Sequence, residues 1–474
     1  MPFVPYLDEL SLGEGLPRVW VEGLAWDSRK VRPGDLFFAL PGSKYDGHAF
    51  AAEAVRRGAV AVVAERPLPG LPVPVILVPN ARTALAQAAC AFYGHPTRKL
   101  STIGVTGTNG KTTVVHFLGQ LLPACETITT VRVEEEGLSC VTTPEAPDLQ
   151  RIAAEAVRQG QKFLAFEASS IGLAQHRVDG VHFRAAVFTS FARDHLDFHG
   201  TLEAYLDAKL RLFRMLPEGA VAVVNVRAPV EAVRAAAPKV RLLTYGLGRG
   251  DLRALRLREE KGGTLLLVDG PFGPKETFLP VQGLHNVENA LAALGVAWSL
   301  GVGWPELRER LSTLTLPPGR FVRFRLSHGA EAVVDFAHNP EALARMLGEL
   351  RPRARRLLVV FGCPGEADRG KRALMGRIAG QIADLVVITA DNPKTEDPRR
   401  IAEEVAQGVC AVGGLFTVIL DRAEAIRFAL EQARPGDVVL VAGKGHERRQ
   451  ILAQGAVPFS DLALVQELVG SFSK

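Results

Sequence analysis

The fold of this chain is decided by residues 100–122, LSTIGVTGTNGKTTVVHFLGQLL. Apolar residues run up to Thr106 and predict a buried strand, and apolar residues at helical spacing after Lys111 predict an amphipathic helix. The loop between them contains Gly107 and Gly110. Such a loop turns its backbone N–H groups, and the first turn of the helix, towards an anion. We therefore expect it to bind phosphate.

The same loop carries the groups that a nucleoside triphosphate needs. Lys111 would reach the outer phosphates, and the Thr112 hydroxyl would ligate Mg²⁺. The loop is a variant of the P-loop pattern, because Val105 stands where the first glycine belongs. A glycine-rich turn with an incidental lysine is the alternative, and the flanking strand and helix argue against it. We predict that ATP binds with Mg²⁺ at Gly107, Thr108, Asn109, Gly110, Lys111, Thr112 and Thr113.

Two clusters of turn residues divide the chain into three blocks, each of which alternates strand and helix signals. Gly94-His95-Pro96 closes the first block and Pro317-Pro318-Gly319 closes the second. We expect an α/β protein with a small N-terminal domain at 1–98, a central P-loop domain with a parallel sheet at 99–319, and a Rossmann-like C-terminal domain at 320–474. The clearest strand signals lie at 59–65, 73–78, 100–106, 164–167, 185–188, 357–361, 385–389 and 438–441, with a hairpin at 252–260 and 264–268.

Composition excludes several classes of protein. Lys and Arg number 56 against 51 Asp and Glu, and no dense basic run appears, so we expect no nucleic-acid partner. No apolar run approaches the roughly 18 residues that span a membrane. The five cysteines form no C-x-x-C pair, which predicts buried, reduced thiols. We expect a cytoplasmic monomer without a membrane partner.

Two further clusters suggest a magnesium site. Glu167 ends a predicted strand, at the edge where α/β sheets bind ligands. Asp194, His195 and Asp197 follow the next strand in the same way. Mg²⁺ prefers oxygen ligands, so a carboxylate is a natural ligand and a histidine an unusual one. A loop histidine bonded to a carbonyl, and aspartates that cap a helix, are the alternatives.

More short motifs follow in order along the chain. They are Asp27-Ser28-Arg29, Pro33-Gly34-Asp35, Asp46-Gly47-His48, Thr142-Thr143-Pro144-Glu145, Gln175-His176-Arg177, Ala208-Lys209, His285-Asn286-Val287-Glu288-Asn289, Asp335-Phe336-Ala337-His338, Gly370-Lys371-Arg372, Asp391-Asn392-Pro393, Gly443-Lys444-Gly445-His446-Glu447 and Phe459-Ser460-Asp461. Together with the loop, they resemble the motifs of the Mur ligases of peptidoglycan synthesis. The resemblance covers nearly the whole chain.

The resemblance implies a role for each matching residue. The UDP-linked substrate would be held by Trp26, Ser28, Ser43, Lys44, Tyr45, Thr142, Thr143, Ser169, Gln175 and Arg177. Beyond the loop, the nucleotide would be contacted by Asn286, Asn289, Arg320 and Asp335. The incoming amino acid would be bound by Asp391, Asn392, Pro393, Lys394, Gly443 and Glu447.

The implied catalytic set is Lys111, Glu167, His195 and Lys209. The metal would be held by Thr112, Glu167, His195 and a carbamylated Lys209. Carbamylation by CO₂ converts the lysine from a cation into an anion that can bind magnesium. A plain lysine on a helix surface is the alternative for Lys209.

The implied activity is ATP-dependent addition of a diamino acid (lysine, ornithine or meso-diaminopimelate) to UDP-N-acetylmuramoyl-L-alanyl-D-glutamate through an acyl phosphate. The alternatives are a ligase like folylpolyglutamate synthase, or a nucleotide-binding scaffold of the cell-wall machinery without activity. Family members that use diaminopimelate usually carry arginines where this chain has Lys394 and Ala367. Lysine lacks the bidentate fork of arginine, which favours a diamino acid other than diaminopimelate.

Overall fold

The structure is a computed structural model that describes residues 5–42, 45–138 and 142–471. Ser43 and Lys44, predicted to contact the UDP-linked substrate, lie outside the described residues. Three sheets of mainly parallel strands follow one another along the chain, and a short hairpin lies near the C-terminal end. This arrangement confirms the predicted α/β fold class.

The first sheet has the strand order β1-β2-β3-β4, with all neighbours parallel. Its strands are β1 (Gly23–Ala25), β2 (Asp35–Phe38), β3 (Ala61–Ala64) and β4 (Val75–Leu77), and its helices are α1 (Ala51–Arg56) and α2 (Ala81–Phe92). Asn80 caps α2 by accepting a hydrogen bond from the Thr83 N–H, and the alanines of this helix pack on the sheet. The loop after β1 leads into a 3₁₀ turn, Ser28–Lys30.

The second sheet contains the phosphate loop and has the order β13-β12-β11-β10-β9-β8-β5-β7-β6. Its strands are β5 (Ser101–Thr106), β6 (Cys125–Ile128), β7 (Phe163–Glu167), β8 (Phe183–Phe188), β9 (Val221–Asn225), β10 (Arg241–Leu247), β11 (Leu252–Glu260), β12 (Gly263–Asp269) and β13 (Lys275–Leu279). Its helices are α3 (Lys111–Leu121), α4 (Thr130–Glu135), α5 (Ala146–Arg158), α6 (Ser170–Ala174), α7 (Leu196–His199), α8 (Leu202–Arg214), α9 (Val230–Ala236), α10 (Leu284–Ser299) and α11 (Trp304–Leu311).

The position of β5 in this sheet determines where the site can form. β5 lies between β7 and β8, and both pair with it in parallel. The carboxyl ends of the three strands therefore open at the same edge. The phosphate loop, Glu167 and the segment after Phe188 follow these three ends, so the chain brings them together there.

The third sheet has the order β14-β15-β19-β16-β17-β18, in which β14 is antiparallel and the others are parallel. Its strands are β14 (Val322–Arg325), β15 (Glu331–Asp335), β16 (Leu357–Phe361), β17 (Leu385–Ile388), β18 (Phe416–Val418) and β19 (Val438–Ala442), and β20 (Arg449–Leu452) and β21 (Gly455–Pro458) form the separate hairpin. Its helices are α12 (Pro340–Leu350), α13 (Gly370–Ile382), α14 (Pro398–Cys410), α15 (Arg422–Gln432) and α16 (Asp461–Ser471).

The strands predicted from apolar runs are present with shifts of one or two residues at their ends, and the predicted hairpin forms between β11 and β12. Within the described ranges, no helix is both long and apolar enough to cross a lipid bilayer. The prediction that the thiols are buried is wrong for Cys410, which is exposed, whereas Cys90 and Cys363 are buried. Cys140 lies outside the described residues.

A buried ion pair joins the last helices to the third sheet. The Arg422 guanidinium donates two hydrogen bonds of 2.7 Å to the Asp461 carboxylate and one of 2.9 Å to the carbonyl oxygen of Ala442. Both side chains are fully buried. Removing one partner would leave an uncompensated charge in the core.

We expect Arg422→Met to lower the stability of the third domain by about 3–5 kcal/mol, because the Asp461 carboxylate would stay buried without a cation. Hydrogen exchange measured by mass spectrometry would report this as faster exchange in peptides from β19, α15 and α16. The matched control is Arg427→Met, which changes an exposed arginine of the same helix. Equal protection in the two variants would contradict the predicted role of the pair.

Candidate active site

Two glycines shape the phosphate loop. Gly107 has φ of 142°, and a Cβ at this position would lie 2.0 Å from the Thr189 hydroxyl oxygen. Gly110 has φ of 88° at the start of α3, and a Cβ there would lie 2.5 Å from Oδ1 of Asn289. Residues other than glycine rarely adopt these backbone angles, and neither position has space for a side chain. The glycines thus allow the loop to lie against the segment after β8 and against α10.

Two lysines share one acceptor at this loop. Nζ of Lys111 donates to the carbonyl oxygens of Gly107 and Thr108, each at 3.0 Å. Nζ of Lys209, which projects from α8, donates to the same Gly107 oxygen at 2.9 Å and lies 4.4 Å from the centre of the Tyr205 ring. Lys209 is 1% exposed, so it is not the helix-surface lysine of the alternative interpretation.

Burial lowers the pKa values of both lysines. Burial and then the charge of Lys111 hold the pKa of Lys209 well below its usual range. Burial also lowers the pKa of Lys111, although the charges of Glu167 and Asp194 oppose that shift. Lys111 therefore keeps the positive charge more readily, and Lys209 is the better candidate for a neutral amine.

Glu167 is fixed at the end of β7 by its neighbours. Its Oε1 accepts hydrogen bonds from the backbone N–H and the hydroxyl of Thr130, at 2.7 and 3.0 Å. The Thr143 hydroxyl donates to the Glu167 carbonyl oxygen at 2.9 Å and shares a 2.9 Å contact with the Ser169 hydroxyl. The Glu167 carboxylate is thus buried and held in one orientation beside the loop.

Asp194 links this edge of the second sheet to the third domain. Its Oδ2 accepts a 3.2 Å hydrogen bond from Nδ2 of Asn339 and lies 3.6 Å from Nε2 of His338, while its Oδ1 lies 3.9 Å from Nζ of Lys371. Burial opposes ionisation of Asp194, but His338 holds its pKa well below the usual range. The neighbouring Arg193 pairs with Asp368 at 3.1 Å. The sequence suggests Asp194 as part of a magnesium site, with a helix cap as the alternative, and it gives no sign of this interdomain contact.

The predicted metal ligands come from four different elements. Burial lowers the pKa of His195 to about 4, so this imidazole is neutral. The Thr112 hydroxyl lies 3.3 Å from Nη2 of Arg320, which donates to it. Within residues 5–42, 45–138 and 142–471, no group of three or more His, Cys, Asp or Glu side chains could hold a metal ion.

A cleft lies between the loop and the third domain. It brings together the predicted nucleotide contacts Asn109, Gly110, Thr113, Asn286, Asn289, Arg320 and Asp335. Both oxygens of Asp335 also accept backbone hydrogen bonds, from Phe321 and Ala337 at 2.9 Å. The lining includes residues that sequence reasoning had missed, namely Thr189, Ser190, Tyr245, Glu288 and Arg345.

The residues predicted for the UDP-linked substrate fall into two groups. Trp26, Ser28 and Tyr45 line an open cleft of roughly 2450 Å³ on the first sheet. The others gather near Glu167, where Arg177 donates to the Thr143 carbonyl oxygen at 2.8 Å and to the Gln175 side chain at 2.6 Å. Thr142 precedes Thr143 in the chain, and the Ser169 hydroxyl contacts the Thr143 hydroxyl.

The residues predicted for the amino acid form one polar corner in the third domain. Nζ of Lys444 donates to the Asn392 side chain at 2.9 Å and to Oε2 of Glu447. Asn392 also donates to Glu447 at 3.0 Å. A Cβ at Gly443 would lie 2.9 Å from the Asp391 carboxylate, and Lys394 follows Pro393 with φ of 54°.

Comparison with known proteins shows the origin of this arrangement. Residues 105–297 match the Mur ligase middle domain, residues 319–445 the glutamate ligase domain of Mur ligases, and residues 21–93 the Mur ligase family catalytic domain. A relative from Geobacillus thermodenitrificans is named UDP-N-acetylmuramoyl-L-alanyl-D-glutamate–2,6-diaminopimelate ligase. It is 40% identical over 96% of this chain and 97% of its own length. The chain belongs to the Mur ligase family.

Solved structures agree with this membership. A structure described as the same diaminopimelate ligase is 33% identical, covers 99% of both chains and has a TM-score of 0.67. A folylpolyglutamate synthase from Mycobacterium tuberculosis, complexed with ADP and AMPPCP, is 18% identical, covers 82% of this chain and has a TM-score of 0.64, which shows a shared fold alone. Membership of the Mur ligases confirms the predicted class of enzyme, an ATP-dependent amide-forming ligase.

For this Mur ligase we expect Gly107→Ala to weaken MgATP binding by about tenfold or more, since a positive φ alone costs about 1–2 kcal/mol and 1.4 kcal/mol is tenfold. The added methyl group would also meet the Thr189 hydroxyl and deform the loop. Titration calorimetry measures the dissociation constant. Gly219→Ala is the control, because Gly219 has φ of 78° with no atom within 4 Å of a Cβ. Equal MgATP affinities in the two variants would show that the loop does not bind the nucleotide.

Proposed function

We propose that this Mur ligase joins a diamino acid to the D-glutamate carboxylate of UDP-N-acetylmuramoyl-L-alanyl-D-glutamate, with ATP as the source of energy. The observation that carries the proposal is the set of cations at the phosphate loop. Lys111 and Lys209 both donate to the Gly107 carbonyl oxygen, and Arg320 reaches Thr112 of the same loop from the domain boundary. The Asn392–Lys444–Glu447 corner lies in the third domain. The names of the relatives support the same reaction.

The proposed reaction needs activation, because a carboxylate is a poor electrophile. Transfer of the terminal phosphoryl group of ATP to the carboxylate would give an acyl phosphate, and the amine would then displace phosphate. Lys111, Arg320 and the start of α3 would balance the negative charge of the phosphates. No protein nucleophile is required, so the contribution of the protein is position and charge.

We further propose that Thr112, Glu167, His195 and a carbamylated Lys209 hold Mg²⁺. The ion would neutralise charge on the phosphate oxygens. Lys209 suits carbamylation because its amine is buried and its pKa is depressed, and only a neutral amine attacks CO₂. The amine nitrogen bonds to carbon, and one proton leaves. The product is an anion in a place where two lysines now share a single carbonyl oxygen.

The identity of the diamino acid rests on the charges of the third domain. The resemblance assigns arginines to positions 394 and 367, and this chain has lysine and alanine there. Arg369 pairs with Glu396 at 3.2 Å, as the buried Arg372 does at 2.8 Å. We therefore propose that the incoming diamino acid is lysine or ornithine, which lack a second carboxylate, although the relatives are named for diaminopimelate.

The domain limits 1–98, 99–319 and 320–474 belong to the same proposal. The separation of β1–β4, β5–β13 and β14–β19 into three sheets supports them. Because ATP and UDP-linked precursors are cytoplasmic, we propose that the enzyme acts there, as a monomer.

We expect purified protein with MgATP and UDP-N-acetylmuramoyl-L-alanyl-D-glutamate to release phosphate only when an amino acid is present. L-lysine, L-ornithine and meso-diaminopimelate would be offered separately, with product mass and phosphate measured together. L-lysine or L-ornithine should give the higher kcat/KM, because Lys394 and Ala367 replace the two arginines that the resemblance assigns to the pocket for the diamino acid. A clear preference for meso-diaminopimelate would refute the proposed acceptor, and no product with any of the three would refute the proposed ligase substrate.

We expect Lys209→Ala to reduce turnover by about 100-fold or more, because charge stabilisation by the metal is worth several kcal/mol. Acetate or formate should restore part of the activity by supplying a carboxylate in place of the carbamate. Lys239→Ala, which changes a lysine with a 74% exposed side chain, is the control. ¹³C NMR of the unaltered enzyme in ¹³CO₂ should show a carbamate signal that Lys209→Ala lacks. A signal retained in that variant would disprove the modification of Lys209.

A further inference from the structure

The short helix α4 places Glu134 next to the third domain. Oε2 of Glu134 lies 3.8 Å from Nε2 of His446, and the adjacent Glu135 pairs with Arg448 at 3.0 Å. The helix starts at Thr130, whose backbone and hydroxyl bind the Glu167 carboxylate. Glu134 is therefore connected to the phosphate edge at one end of α4 and to the third domain at the other.

The imidazole ring of His446 faces Glu134 and makes no hydrogen bond to any described residue. Its side chain is 2% exposed, and neither ring nitrogen has a hydrogen-bond partner among the described residues. The ring packs on Phe336 with centroids 4.9 Å apart, and Arg320 lies over the same Phe336 ring at 4.4 Å. Because Arg320 also donates to Thr112, this corner is continuous with the phosphate loop.

The Glu134 carboxylate lacks a cation of its own. Across the described ranges, no lysine or arginine lies within ion-pair distance of it. The nearby Lys444 is paired with Glu447 and Asn392. The Glu134 carboxylate and the acceptor nitrogen of the neutral His446 ring thus lie next to the predicted amino-acid corner, and neither of them receives a hydrogen bond from the described residues. An ammonium group, which brings three N–H donors and a positive charge, is complementary to them.

The proposed reaction needs a proton acceptor for the incoming amine. The amino acid arrives as an ammonium ion, whose nitrogen has no free electron pair. We propose that Glu134 is the general base that removes this proton, with His446 as a second acceptor that orients the ammonium group. This inference rests on the proposed function.

The step balances in atoms and charge. One ammonium proton moves to Oε2 of Glu134 and leaves the electron pair on nitrogen. The nitrogen then bonds to the carbonyl carbon of the acyl phosphate, and the bond from that carbon to the phosphate oxygen breaks with its electrons on phosphate. The second proton that nitrogen loses leaves with phosphate or to water.

The surroundings give Glu134 a suitable proton affinity. Although its side chain is 42% accessible, burial between the two domains and then the charge of Glu447 raise its pKa to about 7. Lys444, Arg320 and Arg449 act in the opposite direction. Burial lowers the pKa of His446 to about 3, so its ring stays neutral. On α4 itself, Arg132 pairs with Glu126 and Glu136. A base accepts a proton only when ionised, so activity should rise as the pH passes through about 7.

The test is Glu134→Gln, which keeps the shape of the side chain and removes its basicity. We expect tripeptide formation to fall by about 100-fold or more, in the usual range for loss of a general base. The pH dependence near 7 should disappear, and the remaining rate should increase steadily with pH as free amine becomes available. Glu135→Gln, a change of the next carboxylate on the same helix, should leave rate and pH profile unaltered.

Hydroxylamine separates a catalytic role from a structural one. It is uncharged near neutral pH and attacks an acyl phosphate without a base, giving a hydroxamate. Glu134→Gln should form hydroxamate from the UDP-linked substrate and ATP at the rate of the unaltered enzyme. Loss of hydroxamate together with tripeptide, or an unchanged pH profile in the variant, would overturn the role of Glu134. If the unaltered enzyme formed neither product, the proposed function itself would fall.

Discussion

The carbonyl oxygen of Gly107 is the acceptor on which the arrangement of the site depends. It receives hydrogen bonds from Lys111 and Lys209, which project from two different helices. Two ammonium groups around one oxygen repel each other, and burial adds a further penalty to the charged forms. Burial and the charge of Lys111 favour the neutral form of Lys209. The depressed pKa of Lys209 is therefore a consequence of the fold, and it prepares that side chain for chemistry unusual for a lysine.

The third domain completes this site through polar contacts rather than through an apolar interface. Asn109 in the loop exchanges hydrogen bonds with Asn339, and Asp194 meets His338 and Asn339. Buried polar groups cost free energy unless they are paired, so each domain satisfies groups that the other leaves open. Such an interface forms only in one register. This explains how nucleotide contacts from the loop and from Asp335 can converge on one cleft.

Much of the fold could be predicted because buried parallel strands are runs of apolar residues, as in β16 and β19. The strands β1 and β2 were missed, although β3 and β4, which are equally short, were predicted from their apolar runs. The phosphate loop could be predicted from local sequence alone, since its glycines and lysine are adjacent. The burial of Lys209, the interdomain role of Asp194 and the position of Glu134 could not, because each depends on contacts with residues more than a hundred positions away.

The distribution of charge across the cleft accounts for the division of work between the domains. In the proposed reaction, phosphate transfer needs fixed positive charge, which Lys111 and the start of α3 would supply from the second domain and Arg320 from the boundary. Attack by an amine needs the opposite, a group that takes up a proton. A cation and a base placed side by side would neutralise each other as a salt bridge. Contacts run from Arg320 through the rings of Phe336 and His446 to Glu134, and among the described residues no ion pair joins Arg320 to Glu134.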